Sequence, residues 1–379
     1  MRDMTGPWMR VRRGTVLELL AERPGAVELL VEVEGDQARA VAYPALVGPA
    51  RPGDRVLLNT TAVWLGLGTG GHHFVIAVEG HQELDATGTG RTMKLRYTPH
   101  QVAVQAAEEE GSPHRRTMES ASGLDGLPVV WVPLHSMLGP AVAGARAAGA
   151  SRVAYVMTDG AALPAGLSRL AASLRDTGLL SSVISVGQAF GGDLEAVSVF
   201  SGLLAGRHVV GADVLVVCNG PGNAGTGTAW GAADVESAMT LNAVGILGGR
   251  PVAALRVSFA DPRERHRGVS HHSITALSKV ALVPVHVAVP MVQDEERRRS
   301  IWDPLREAAL EARHQLVETT GRPALDLLAE HGIEPESMGR KVSDDPEFFL
   351  AAGAAGVLAG RMAGGGRAWP GGGPAAIGM

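Results

Sequence analysis

The sequence predicts an α/β protein: a Rossmann-like, mostly parallel sheet with helices on both faces, preceded by a small β-barrel-like domain. Three observations carry that prediction. Between residues 128 and 290 short apolar runs alternate with segments of helical period, repeating about every 30 residues. Before residue 78 the runs are short, alternate in polarity and are divided by turn residues with no helix between them. Composition is the third: 45% of residues are hydrophobic but only 4% aromatic, so the core must be built from Val, Leu, Ile and Ala, as in buried parallel strands.

Residues 1–107 are assigned to the barrel-like domain. Strands are expected over 15–20, 27–33, 38–43, 55–63 and 73–78, because Pro24-Gly25, Gly35-Asp36 and Pro52-Gly53-Asp54 supply the turns between them. A helix is expected over 99–110, capped by Thr98 with Pro99 in its first position. The EEEGSP and SASGLDG stretches make 108–127 an exposed linker. The α/β domain then spans 128–362. Six strands are expected in VVWVP, RVAYVM, SVISV, DVLVVC, PVAALRV and LVPVHVAV; burial on both faces requires helical crossovers, such as 161–177 and 232–247. A long amphipathic helix over 297–319 follows, then an apolar helix over 347–361 opened by Asp345-Pro346. Its LAAGAAGVLAG run lets backbones approach closely; packing within the domain is expected, with contact to a second copy in a homo-oligomer as the alternative. The tail 363–379, with GGG twice, is expected to be disordered.

Several function classes are disfavoured at this level. A formal charge of −5 argues against a nucleic-acid coat or a basic membrane adaptor. The lone cysteine, Cys218, excludes an intramolecular disulfide and a Cys-rich metal site, and it reads as a buried core residue rather than a nucleophile. The N-terminal MRDMTGPWMRVRRG lacks the apolar region of a signal peptide, and no apolar run reaches the roughly 20 residues of a membrane span. A cytoplasmic protein with no nucleic-acid or membrane partner is expected.

In open α/β sheets ligands bind beyond the carboxyl ends of the strands. Polar residues gather there: His135 and Ser136, Thr158 and Asp159, Gln188, Asn219, then Asp261, Arg263, Arg265 and His266. The strand starts, Pro128, Ser151, Ser182, Ala212 and Arg250, show no such enrichment. In CNGPGNAGTGTAWG, Gly220, Gly222 and Gly225 fit G-x-G-x-x-G after a strand, so bare backbone N–H groups would feed a helix N-terminus and cradle an anion, helped by Asn219, Thr226 and Thr228. No acidic residue ends a strand about 20 residues on, which speaks against a dinucleotide, and no Lys follows the glycines as a Walker loop requires. The bland alternative is a tight strand-to-helix turn.

The run DPRERHRGVSHHS holds three arginines (Arg263, Arg265, Arg267) and three histidines (His266, His271, His272). With Ser270 as N-cap, His271 and His272 stand in a helix first turn, where the dipole favours neutral imidazole, able to serve as base, donor or ligand. The arginines suit a carboxylate or phosphate; a solvated loop with capping histidines is the alternative. His266, His271, His272 and Asp261 are metal-ligand types, as are His72-His73, but adjacent helical histidines point about 100° apart and no HExxH spacing exists, so no metal site is assigned. GLGTGGHH over 66–73 reads as a hairpin turn, or a loop reaching the cleft; Lys94 or Arg96 in MKLRY facing the cleft is a weaker candidate.

Taken together, MKLRYTPHQ, VPLHSML, GPGNAGTGTAWG, DPRERHRGVSHHS and MGRKVSDDPEFFLAAGAAG resemble a bacterial family known as domain-of-unknown-function family 3866, over residues 11–361. That resemblance implies a bacterial protein and brings no reaction with it, so site roles rest on the residues.

The leading expectation is a hydrolase or transferase acting on a phosphorylated or nucleotide-like anionic small molecule. Asn219, the 220–228 loop and Arg263, Arg265 and Arg267 would hold the anion, with Ser270 and His272 beside them. His271 or His266 would move the proton, Asp159 or Asp261 would orient it, and His135 would line the opposite wall. No cofactor is assigned. The alternatives are a non-catalytic metabolite-binding or regulatory protein using the same cleft, and a structural or assembly protein.

Overall fold

The computed structural model describes residues 8–67, 70–81, 83–85 and 90–365. The tail from residue 366, and residues 68–69 of the GLGTGGHH stretch, lie outside the described residues.

Five strands, β1 (Val11–Arg23), β2 (Ala26–Val33), β3 (Asp36–Ala42), β4 (Arg55–Asn59) and β5 (His72–Val78), close into a barrel in the order β1-β2-β3-β5-β4. Only β3 and β5 run parallel; β1 closes the ring against β4. Alternation explains the closure, since Leu29, Val31, Ala40, Val56 and Leu58 all point inward into one apolar cluster. Glu34 and Gly35, at φ 56 and 88, make the two-residue turn between β2 and β3. The predicted barrel is present.

Residues 99–110 do not form the predicted helix. Val102–Val104 is a strand, β7, pairing antiparallel with β6 (Thr92–Lys94): the alternating VAV run finds a partner, and pairing overrides the cap-like Thr98-Pro99 signal. Nor is 108–127 an exposed linker. It carries a helix, Arg115–Ser120, and buries Met118, Leu124 and Leu127.

The second part is an eight-stranded, all-parallel sheet. Its members are β8 (Pro128–Trp131), β9 (Val153–Thr158), β10 (Ser182–Ser185), β11 (Leu194–Glu195), β12 (Val214–Asn219) and β13 (Arg250–Ala254), then β16 (His286–Pro290) and β17 (Gln315–Thr319). The short pairs β14 (Val257–Ser258) with β15 (Gly268–Val269), and β18 (Glu336–Ser337) with β19 (Arg340–Lys341), stand apart from it. All six predicted strands are present, with β11 and β17 added. β17 lies inside the stretch predicted as one helix over 297–319; the helix covers Glu295–Glu307, and Ala309 at φ 50 ends it. The 161–177 helix is likewise shorter, Arg169–Asp176.

The strand order is β11-β10-β9-β12-β8-β13-β16-β17. Val130, Tyr155, Val216 and Val252 face the helices Leu138–Ala147 and Pro346–Ala363. Val129, Val156 and Leu215 face the opposite layer, with Leu203 and Val244. Chain leaving β8 enters the first layer, whereas chain leaving neighbouring β12 enters the second, through Met239–Ile246. The two loops diverge, and a crevice opens between them at the carboxyl edge of the sheet.

The small-residue helix Pro346–Ala363 packs inside its own domain, as expected. A Cβ on Gly356 would collide with the Ala141 carbonyl, and one on Gly360 would lie 2.5 Å from the Ala145 oxygen. Asp345 sits at the N-cap position but does not cap; its carboxylate accepts hydrogen bonds from Ser258 Oγ (2.5 Å) and Phe259 N (3.1 Å).

Candidate functional site

One wall of the crevice comes from β8. His135–Met137 makes a 3-10 turn that runs directly into Leu138–Ala147. His135 Nε2 lies 2.7 Å from Ser168 Oγ. Because Ser168 Oγ already accepts the Ala171 N–H as N-cap of Arg169–Asp176, its proton is free for the imidazole. Burial pushes the His135 pKa down to about 4, so the ring is neutral.

The facing wall is the loop after β12. Asn219 fixes its start: Oδ1 accepts from Thr158 Oγ1 (2.7 Å), and Nδ2 donates to Ala233 O (3.3 Å). Gly220 is required by packing against the Ala162 carbonyl and the Met157 methyl, not by a ligand. Contrary to the expectation, the glycine loop does not run straight into a helix N-terminus; it is long enough to fold on itself first. It doubles back as a small hairpin, with Thr226 N donating to Gly231 O (2.7 Å) and the Thr226 and Thr228 hydroxyls 2.8 Å apart. The helix that follows is only Ala233–Ser237. Among the described residues, the N–H groups of Gly222 and Asn223 donate to no protein acceptor.

The third wall is held by β14 and β15, which pinch residues 259–267 into a loop. Asp261 lies fully buried at its base and accepts from Arg263 Nε (2.9 Å) and Nη2 (2.7 Å) and from Arg256 Nη2 (3.2 Å); Arg340 stands 3.7 Å away. Burial acts to raise its pKa, but these guanidiniums hold it far below the usual carboxylate range. Asp261 therefore orients arginines, and the predicted role of orienting a histidine is corrected.

At the top of that loop the three histidines converge. Ser270 caps the following helix, as predicted, and its Oγ lies 2.8 Å from His266 Nδ1. Ring centroids are 5.3 Å apart for His266 and His271, 5.5 Å for His266 and His272, and 4.0 Å for His271 and His272. One ring nitrogen from each lies within 4.8 Å of one from each of the others. The expectation that neighbouring histidines must diverge is corrected: Cβ directions differ around the helix, but the side-chain torsions swing both rings to the same side. His272 Nε2 donates to Thr228 O (3.1 Å), and its Nδ1 faces Asp234 Oδ1 at 3.8 Å. His271 Nε2 is buried without a partner. Burial, with Arg256 and Arg263 nearby, pushes His266 down to about 3; burial and neighbouring His272 lower His271.

These walls enclose a cavity of about 490 Å³, a volume suited to a small molecule. Of the predicted residues, His135, Gly222, Gly225, Thr226, Arg263, His266 and His272 line it. His271, Ser270 and Thr228 stand behind His266 and His272, and Asn219 and Gly220 shape the loop. Asp159 is not brought in; it is exposed and accepts the Gln188 N–H (2.8 Å), because the end of β9 opens toward β10. Arg265 and Arg267 are exposed outside the cavity, although Arg265 lies over Gly227. Lys94 is buried elsewhere, on Ala196 O (3.1 Å) beside Glu195 at the sheet edge. Arg96, His72 and His73 do not line the cavity. Burial pushes the Cys218 thiol up to about 12, consistent with a core residue.

Sequence reasoning missed Arg256, Asp234, Glu336, Ser337 and Met338, which also line the cavity. Arg256 had a signal, a charge inside the apolar run PVAALRV. Glu336–Met338 had none, because the β18–β19 hairpin reaches the site from the far end of the chain; Ser337 Oγ lies 2.9 Å from Ser136 Oγ.

Among the described residues no helix is long and apolar enough to cross a membrane. No curated protein and no solved structure matches the chain. A family model does match residues 39–356, spanning the barrel from β3 onward, all three walls of the cavity and most of the last helix, and on that match the chain belongs to the family described as "Protein of unknown function (DUF3866)".

Proposed function

We propose that this protein is an enzyme, a hydrolase or transferase, acting on a phosphorylated or nucleotide-like anionic small molecule in the crevice between the β8 and β12 loops. One observation carries the reading: Arg256, Arg263, the Gly222 turn, His135, His266 and His272 all face the same cavity. Arg256, Arg263 and Arg340 share two buried carboxylates, Asp261 and Asp345, which leaves that wall with an excess positive charge. Guanidiniums do not deprotonate in proteins, so the charge persists at any working pH. The free N–H groups of Gly222 and Asn223 offer further donors to an oxyanion on the facing wall. His266, kept neutral by burial, presents a lone pair rather than an acidic proton at neutral pH.

The test is melting temperature against a panel of pyrophosphate, nucleotides and sugar phosphates. At least one compound is expected to stabilise the protein, and Arg263→Ala should weaken its binding at least ~10-fold. No stabilisation by any phosphorylated compound, or equal binding by the variant, overturns the reading. A second reading, a non-catalytic metabolite-binding or regulatory protein, is favoured by one feature. Among the described residues no histidine at the cavity is hydrogen-bonded to a carboxylate, and His272 approaches Asp234 only to 3.8 Å. Binding without turnover of the stabilising compound would select it.

A further inference from the structure

We infer that His266, His271 and His272, with the Asp234 carboxylate beside them, form a binding site for a divalent first-row transition metal of the zinc class. The argument starts from what each ring does with its two nitrogens. His266 commits Nδ1 to Ser270 Oγ at 2.8 Å, and His272 commits Nε2 to the Thr228 carbonyl at 3.1 Å. Each ring is thereby oriented and keeps one nitrogen out of those hydrogen bonds. Metal-bound histidines are held in this way, with the outer N–H on a hydroxyl, carbonyl or carboxylate that fixes the tautomer.

His271 supplies the second observation. Its Nε2 is buried with no hydrogen-bond partner, and an orphaned buried polar atom costs about 1–3 kcal/mol unless something satisfies it. The other two rings gather around it, one ring nitrogen of each of the three lying within 4.8 Å of one another, so one shared partner could satisfy all three. Three imidazoles this close cannot all carry an added proton without mutual repulsion, which a shared cation relieves by taking a lone pair from each. Asp234 Oδ1, 3.8 Å from His272 Nδ1 on a side chain 3% exposed, brings a negative charge beside the cluster.

The donor set of three imidazole nitrogens decides the class of ion. It suits zinc and its neighbours; magnesium and calcium take oxygen-rich shells. Typical Zn–N bonds of about 2.0–2.1 Å would draw the rings closer than they stand, a movement that side-chain torsions of the half-buried His271 can supply. The excess positive charge of the arginine wall does not forbid a cation, because the buried Asp234 carboxylate stands beside His272 on the histidine side and offsets it there. His266, His272 and Asp234 all line the cavity, so an ion here would face any bound anion and could polarise it or activate a water.

The experiment is zinc and cobalt titration of chelator-treated full-length protein, read by bound metal after gel filtration and by the visible absorption of bound Co²⁺. It uses no substrate, so it fails or succeeds independently of the catalytic reading. One equivalent of metal per chain is expected, with His271→Gln and His266→Gln each weakening binding by about 100-fold or more. His331→Gln, on an exposed ring elsewhere, should bind as wild type does. Circular dichroism reports whether each variant is folded, and the half-buried His271 keeps the test valid if His266→Gln is not. Failure of the folded wild type to retain either metal, or undiminished binding by a folded His271→Gln, overturns the inference.

Discussion

His135 lies where burial outweighs the opposing hydrogen bond at Asn219 in deciding protonation, and that makes its effect on stability predictable. The folded ring titrates at about 4 against an ordinary 6.5. Above pH 6.5 both folded and unfolded chains hold it neutral; as pH falls from 6.5 to about 4 the unfolded chain takes up the proton and the folded one does not, so stability is lost with falling pH. The gap corresponds to at most roughly 3 kcal/mol. His135→Gln should remove that slope, seen as a smaller loss of urea stability between pH 7 and pH 4.5 than wild type shows; equal losses would mean that His135 is not held neutral. At this scale much of the site was legible. Arg263, His135 and the histidine run stand at strand ends, where sequence alone places ligand chemistry. What was not legible is where the tips of side chains go. Asp261 is a candidate orienter of histidine by position, yet three arginines converge on it, one of them, Arg340, from a hairpin almost 80 residues away along the chain.

Elements were read well where one physical rule applied and poorly where two competed. Uniformly apolar runs such as DVLVVC can only be buried strands, and all six of that kind are in the sheet. QLVET, at the end of a charged amphipathic stretch, carries both helical and strand patterns; pairing with His286–Pro290 settled it as β17. The LAAGAAGVLAG helix gives the sharpest test at this scale. Ala is worth about 1 kcal/mol more than Gly inside a helix, so Gly356→Ala would stabilise an exposed helix. Here the added methyl meets the backbone carbonyl of Ala141, which no rotamer change can move. Net destabilisation of about 2 kcal/mol is expected. Gly364→Ala, where the nearest atom would stand at 3.8 Å, should be close to neutral. Equal melting temperatures for the two variants would show that the helices can part without cost.

At the scale of the whole molecule, the barrel buttresses one wall of the cavity. Glu28, on β2 and 4% exposed, takes hydrogen bonds from Arg23 of β1 and from Arg169 across the junction, and Arg23 Nε reaches the Gly166 carbonyl at 2.7 Å. Those contacts hold residues 166–169, which include Ser168, the partner of His135. Burial acts to raise the Glu28 pKa, but Arg169 and Arg23 outweigh it and bring it to about 2. The carboxylate's contribution is therefore complete above the ordinary 4.5 and is lost as pH falls toward 2. Glu28→Gln leaves the largely buried Arg23 without its counter-ion, and removing one member of a buried pair costs about 3 kcal/mol. Arg169→Ala removes a side chain that is 58% exposed, and under solvent screening should cost less than about 1 kcal/mol. If the barrel holds the wall, Glu28→Gln should lower the melting temperature at pH 7, lose the acid sensitivity of wild type between pH 4.5 and 2, and weaken phosphate-ligand binding through Ser168 and His135. A Glu28→Gln protein that melts and binds as wild type does would reduce the barrel to an appendage, and the cavity wall would then stand on the sheet and its helices alone.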